Sequence, residues 1–189
     1  SYPLCRGFNS LRRYFSCINH PPQASVIAPV VDCIYPPFRE RLRAARLIPP
    51  GGVVILGFSG GKDSVTLALL LQRLQLDLPF RLVLAYLNHG LRSDAAREES
   101  WVLRFAAERG LELRVGHRPV RRLAQESGLN LEHAASLSRY DFFSQVAGEF
   151  PDARIATAHT RSDLAETFLI KLLRGSGLQG LSAIHQRKG

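Results

Sequence analysis

The residues Ser59-Gly60-Gly61-Lys62-Asp63-Ser64 put two adjacent glycines, a cation, a carboxylate and two hydroxyls into six positions. That mixture suits a phosphorylated ligand. Glycines let the backbone approach an anion closely and adopt positive φ. If a helix opens here, its unpaired N–H groups and dipole favour negative charge. The spacing is not that of a Walker loop. Only three residues separate Gly57 from Gly61, and Asp63 follows the lysine where Ser or Thr would stand. No Gly-x-Gly-x-x-Gly occurs, so the dinucleotide fingerprint is also excluded.

Four later strings carry further chemistry: Asn88-His89-Gly90-Leu91-Arg92, then Glu132-His133-Ala134-Ala135-Ser136-Leu137-Ser138-Arg139-Tyr140, then a segment from His159 to Thr167, then Arg174-Gly175-Ser176-Gly177-Leu178-Gln179-Gly180-Leu181. Read singly, each is a weak to moderate signal, and the first two have a plain structural explanation. The first is a polar turn with a structural His89, and Glu132 and Arg139 suit a solvated helix face. Asp163 and Glu166 are three apart, which presents both carboxylates on one face of a helix.

The elements that would position these residues alternate. Apolar, β-branched runs at 53–58, 81–87, 111–115 and 154–158 read as buried strands. Helical spacing occupies 38–48, ended by Pro49-Pro50-Gly51-Gly52, then 63–74, 93–109 closed by Gly110, a long stretch capped by Asn130 and running to Phe150, and 163–173. Buried strands alternating with helices imply a parallel sheet covered on both faces, an α/β three-layer sandwich. In such a sheet ligands bind at the carboxyl ends of the strands, which is where the loop and the later strings fall.

With that context the SGGKDS string resembles the pyrophosphate loop of the N-type ATP pyrophosphatases, the PP-loop superfamily. The four later strings, in this order, resemble the motifs of the tRNA(Ile)-lysidine synthetases over about residues 50–187. The resemblance implies an adenine nucleotide alpha hydrolase-like (Rossmann-like) fold. It implies ATP and Mg2+ as cofactors, with Ser59, Gly60, Gly61 and Ser64 around the β and γ phosphates. Lys62 would lie beside those phosphates and Asp63 near the metal. His89 would lie by the adenine and ribose, and Arg92, Arg139 and Arg174 would contact nucleotide or RNA. Asp163, His159 and Glu166 would join Asp63 as catalytic groups. The implied reaction is ligation of free L-lysine to the wobble cytidine of tRNA(Ile) through an adenylated intermediate, forming lysidine. Two positions depart from the pattern: Ser136 stands where the family usually has arginine, and Ser162 where it often has Asp or Asn. The alternatives are a tRNA thiolase of the same superfamily, a catalytically inactive basic RNA-binding module, and an amidating ligase on a small molecule. The thiolases typically use cysteines or an iron–sulfur cluster, whereas the residues from Pro36 onward contain no cysteine.

Bulk properties agree. The chain has 189 residues and a net charge of +9, an excess that favours an anionic partner such as tRNA. Nearly all of that excess is arginine, since Lys62, Lys171 and Lys188 are the only lysines. Three cysteines, Cys5, Cys17 and Cys33, match neither a metal-ligand spacing nor a disulfide framework, which fits the cytoplasm. No apolar run approaches the ~20 residues of a membrane span. Residues 1–37 show no sustained period and read as a leader that packs poorly. Residues 38–189 read as the catalytic domain, possibly truncated at its C-terminal end.

Overall fold

A computed structural model describes residues 24–91 and 95–159. Its core is a four-stranded sheet of β1 (Val53–Gly57), β2 (Arg81–Asn88), β3 (Glu112–His117) and β4 (Arg154–Thr157), in the order β3-β2-β1-β4. Every pairing is parallel, with Val53 opposite Arg81, Val54 opposite Arg154 and Asn88 opposite His117. The expected α/β parallel sheet is therefore present. Among the described residues five helices accompany it: α1 (Ala24–Ala44), α2 (Lys62–Leu74), α3 (Ala95–Glu108), α4 (Val120–Ser127) and α5 (Leu131–Gly148).

Strand periodicity divides the core in two. Side chains alternate across a strand, and Val54, Leu56, Leu82, Leu84 and Tyr86 face a cluster containing Val31, Tyr35, Val65, Leu69, Val102 and Phe105. The alternate set, Val53, Ile55, Val83, Ala85 and Leu87, faces Phe142, Phe143 and Val146 of α5. Two glycines let α5 lie this close. A Cβ on Gly57 would come within 2.5 Å of the Phe143 ring, and one on Gly116 within 2.6 Å of Phe142. Asn130 caps α5 as its type and position suggest, its Oδ1 accepting from the His133 N–H at 2.8 Å.

Three local expectations need correction. The first helix starts at Ala24, not at residue 38, and it ends at Ala44. The helix runs through residues 37 and 38, and Val31 and Tyr35 within it are buried. Tyr35 donates to Asp77, Arg73 pairs with Asp32, and the Arg73 guanidinium lies 4.6 Å from the Tyr35 ring centroid, so α1 is fastened to α2 and the turn after it. Cys33 is disulfide-bonded, against the expectation from cysteine count. The third correction is α4, which the sequence reading lacked. Only Val120 and Ala124 of it are buried, and Gly128, at φ 64°, closes it. The chain through Thr157 forms one compact unit, and Ala158 begins a second.

Candidate functional site

Because the strands are parallel, their carboxyl ends share one edge of the sheet. β1 ends at Gly57, and the chain crosses into α2 within four residues. Phe58 stays anchored, its N–H donating to Ala85 O at 2.9 Å. Gly60 then takes φ 73°, a left-handed conformation that glycine alone adopts without strain. Gly61 is the N-cap of α2 and offers no side-chain cap, so the first-turn N–H groups have no intrahelical partner. The two serines brace this opening. Ser64, buried at the start of the helix, donates from Oγ to Gly61 O at 2.9 Å and accepts from the Ser59 N–H at 3.3 Å. The Ser59 and Ser64 hydroxyls are 3.2 Å apart, and Ser59 Oγ also accepts from the Gly61 N–H at 3.4 Å. Lys62 and Asp63 stand exposed on the first turn. The result is a set of backbone N–H donors at the positive end of a helix, able to hold a phosphate chain.

The neighbouring strand supplies a second turn. Asn88 Oδ1 accepts from the Gly90 N–H at 2.9 Å, and Gly90 has φ 64°. His89, between them, has its Nδ1 buried without a hydrogen-bond partner. Burial, and then the charge of Arg139, hold its pKa below the ordinary imidazole value, so the ring is neutral near pH 7. The structure therefore brings together His89 and Arg139, which lie 50 residues apart in sequence. Arg139 sits on α5 one turn before Phe143, the residue that packs against Gly57. Glu132 is exposed in the first turn of α5, and Ser136 is half-buried one turn later.

Sequence reasoning missed Glu99 and His117. Glu99 Oε2 accepts from Asn88 Nδ2 at 2.8 Å and from His117 Nε2 at 2.9 Å. The Asn88 bond, and then His117, keep the Glu99 carboxyl below the usual range despite partial burial. The parallel pairing of Asn88 with His117 could have pointed to them only once strand register was known.

His159 follows β4, is exposed, and belongs to the second unit. Arg92, Asp163, Glu166 and Arg174 lie outside the described residues, as does Ser162. Among the described residues no group of three His, Cys, Asp or Glu side chains could enclose a metal ion. A Mg2+ arriving with a polyphosphate needs no such cage, because phosphate oxygens and water complete its shell around one or two carboxylates. Asp63, exposed beside the loop, fits that limited demand. Among the described residues no helix is long and apolar enough to cross a membrane.

Comparison with known proteins supplies the family. A profile described as the PP-loop domain matches residues 38–189. The chain is 38% identical over 139 residues to the tRNA(Ile)-lysidine synthase of Dehalococcoides mccartyi, covering 73% of this chain and 30% of that protein. It is 37% identical over 153 residues to that of Chlorobaculum tepidum, covering 80% and 46%. With that of Bradyrhizobium diazoefficiens it shares 43% over 133 residues, covering 69% and 36%. The chain thus spans less than half the length of these curated relatives. A U34-tRNA thiolase from Methanococcus maripaludis superposes with a TM-score of 0.63 at 20% identity, over 79% of this chain and 52% of the other. An NH3-dependent NAD synthetase from Campylobacter jejuni gives 0.53 at 19%, over 79% and 60%. At such identities these two structures speak to the fold alone, and they share the parallel α/β design. With that profile matched over residues 38–189, the chain belongs to the PP-loop domain family.

Proposed function

We propose that this chain is the ATP-binding part of a cytoplasmic enzyme that ligates free L-lysine to the wobble cytidine of tRNA(Ile), forming lysidine. The observation that supports this best is the uncapped N-terminus of α2 behind the positive-φ Gly60, in a chain whose curated relatives are lysidine synthases. In the proposed reaction the carbonyl oxygen at position two of cytosine attacks the α phosphorus of ATP. The bond to the β phosphate breaks and pyrophosphate leaves. The lysine amine then forms a bond to the activated carbon, AMP departs, and the amine gives up a proton.

The residues divide that work. Backbone N–H groups of the loop, with Ser59 and Ser64, hold the β and γ phosphates and fix the α phosphorus for attack, so the gain is positioning and charge neutralisation. Lys62 adds positive charge beside them. Asp63 would help hold Mg2+, which when bound offsets phosphate charge. The neutral His89 packs by the nucleoside, and Arg139, with Arg92 and Arg174, meets phosphate or RNA. His159 or Glu166 accepts the amine proton, and Asp163 joins them as a catalytic group. The basic excess suits tRNA, although part of it is internally paired, Arg81 with Glu112 and Arg114 with Glu149. The test is incorporation of labelled lysine into tRNA(Ile) with ATP and Mg2+, alongside AMP release, in a protein extended to the length of its relatives. Lysine-independent AMP release with sulfur transfer would support the thiolase reading instead. No AMP release at all would support the inactive RNA-binding module.

A further inference from the structure

Asn88 is the last residue of β2, and both ends of its side-chain amide are engaged. A carboxylate oxygen only accepts, so Asn88 must turn Nδ2 toward Glu99, at 2.8 Å, and Oδ1 toward the Gly90 N–H, at 2.9 Å. Flipping the amide breaks both bonds. The same Glu99 oxygen takes a third partner, His117 Nε2 at 2.9 Å, at the residue that pairs with Asn88 across the sheet. The Arg118 N–H closes the arrangement on Asn88 O at 3.0 Å. Two residues beyond Glu99, the same helix reaches the phosphate loop. A Cβ on Gly60 would lie 3.4 Å from Trp101 and 3.5 Å from Val102, and Trp101 stacks near-parallel to Phe58, the residue before Ser59. The first turns of α3 therefore touch both loops of the site, by polar contact on one side and apolar contact on the other.

We propose that Glu99 is a positioning residue for the nucleoside end of the site: it locks the Asn88 side chain, which shapes the turn at residues 88–90, and α3 thereby sets that turn against the phosphate loop. The inference rests on the nucleotide reading above, with the turn at 88–90 facing the nucleoside. Glu99 touches no ligand in this scheme. It acts through Asn88, and its removal leaves the half-buried Asn88 Nδ2 without its acceptor while the loop at residues 59–64 keeps its own hydrogen bonds.

The experiment compares two ligands on the full chain, ATP with Mg2+ and inorganic tripolyphosphate with Mg2+. Glu99→Ala is expected to weaken ATP about tenfold and to leave tripolyphosphate within about twofold, because only the nucleoside end is disturbed. Glu99→Gln, whose Oε1 can still accept from Asn88, is expected to recover most of the ATP affinity. Unchanged ATP binding by Glu99→Ala overturns the inference, and so does an equal loss of both ligands, which would mark a general structural role. A wild-type chain that binds tripolyphosphate but not ATP, or neither, overturns the nucleotide reading itself and this inference with it.

Discussion

Replacing Gly60 with alanine separates backbone geometry from side-chain chemistry in the phosphate loop. Space is not the obstacle, because the new Cβ would lie 3.4 Å from its nearest neighbour, the Trp101 ring, which is ordinary contact. The cost is conformational. At φ 73° a residue with a Cβ is strained by about 1–2 kcal/mol. In a chain of this size that lowers Tm by roughly 2–8 °C. The loop escapes the strain by rotating the peptide, which turns the N–H groups around Gly61 away from the phosphates. One lost hydrogen bond to a charged acceptor is worth about 1.5–3 kcal/mol, so ATP affinity should fall roughly tenfold to a hundredfold. Gly128→Ala is the control. Gly128 also has positive φ, at 64°, and open space around it, but it caps α4. It should show a similar Tm loss with unchanged ATP binding. Calorimetric titration with ATP and Mg2+, beside thermal melts of both variants, checks this. A Gly60→Ala protein that binds ATP like wild type, or a Gly128→Ala protein that loses binding equally, would refute the reasoning.

Other consequences are more direct. Asp63→Asn should depress AMP release more than Lys62→Ala, by about 2.7–4 kcal/mol in kcat if Asp63 acts on the reacting phosphates; a dead Lys62→Ala beside an active Asp63→Asn would reverse the assignment. Removing residues 1–37 should destabilise the fold, because Val31 and Tyr35 are 7% and 6% exposed, and Tyr35→Ala alone should cost about 3 kcal/mol in urea unfolding; equal midpoints for intact and truncated chains would show α1 to be dispensable. The lowered pKa of His89 gives a pH dependence of known sign. The neutral ring's contribution is fully present above its unfolded value of about 6.5 and is lost as pH falls through the lower folded value. Thermal stability should therefore drop on acidification from about pH 6.5 down to that lower value, and His89→Asn should flatten the drop.

The loop was readable from sequence because its chemistry is local. Six contiguous residues, a preceding apolar run and a following leucine-rich helix specify the strand, the turn and the cap without any distant partner. The strands were readable for a related reason: buried on both faces, they are continuous apolar runs, and their parallel pairing follows from the helices between them. α1 was obscured because Pro29, Pro36 and Pro37 sit inside it, where proline removes a donor and crowds the preceding turn. Its place is secured by distant residues, Asp77 and Arg73, that local reading cannot weigh. α4 was obscured for the opposite reason, since eight mostly polar residues carry only two buried positions.

Glu99 shows where such legibility ends. In sequence it is one of two adjacent glutamates on an amphipathic helix, and Glu98 has the same claim. What distinguishes them is rotation about α3 relative to a sheet edge, and that depends on Val102, Phe105 and Ala106 facing the core. Burying those three fixes the helix, and the fixed helix turns Glu99 toward Asn88 and Trp101 toward Phe58. His117 becomes its partner only through the β2–β3 register, which one residue of slippage would invert. A residue that handles the ligand can be recognised by its own chemistry. A residue that orients another is defined by packing, so it emerges only when the core that aims it has been built.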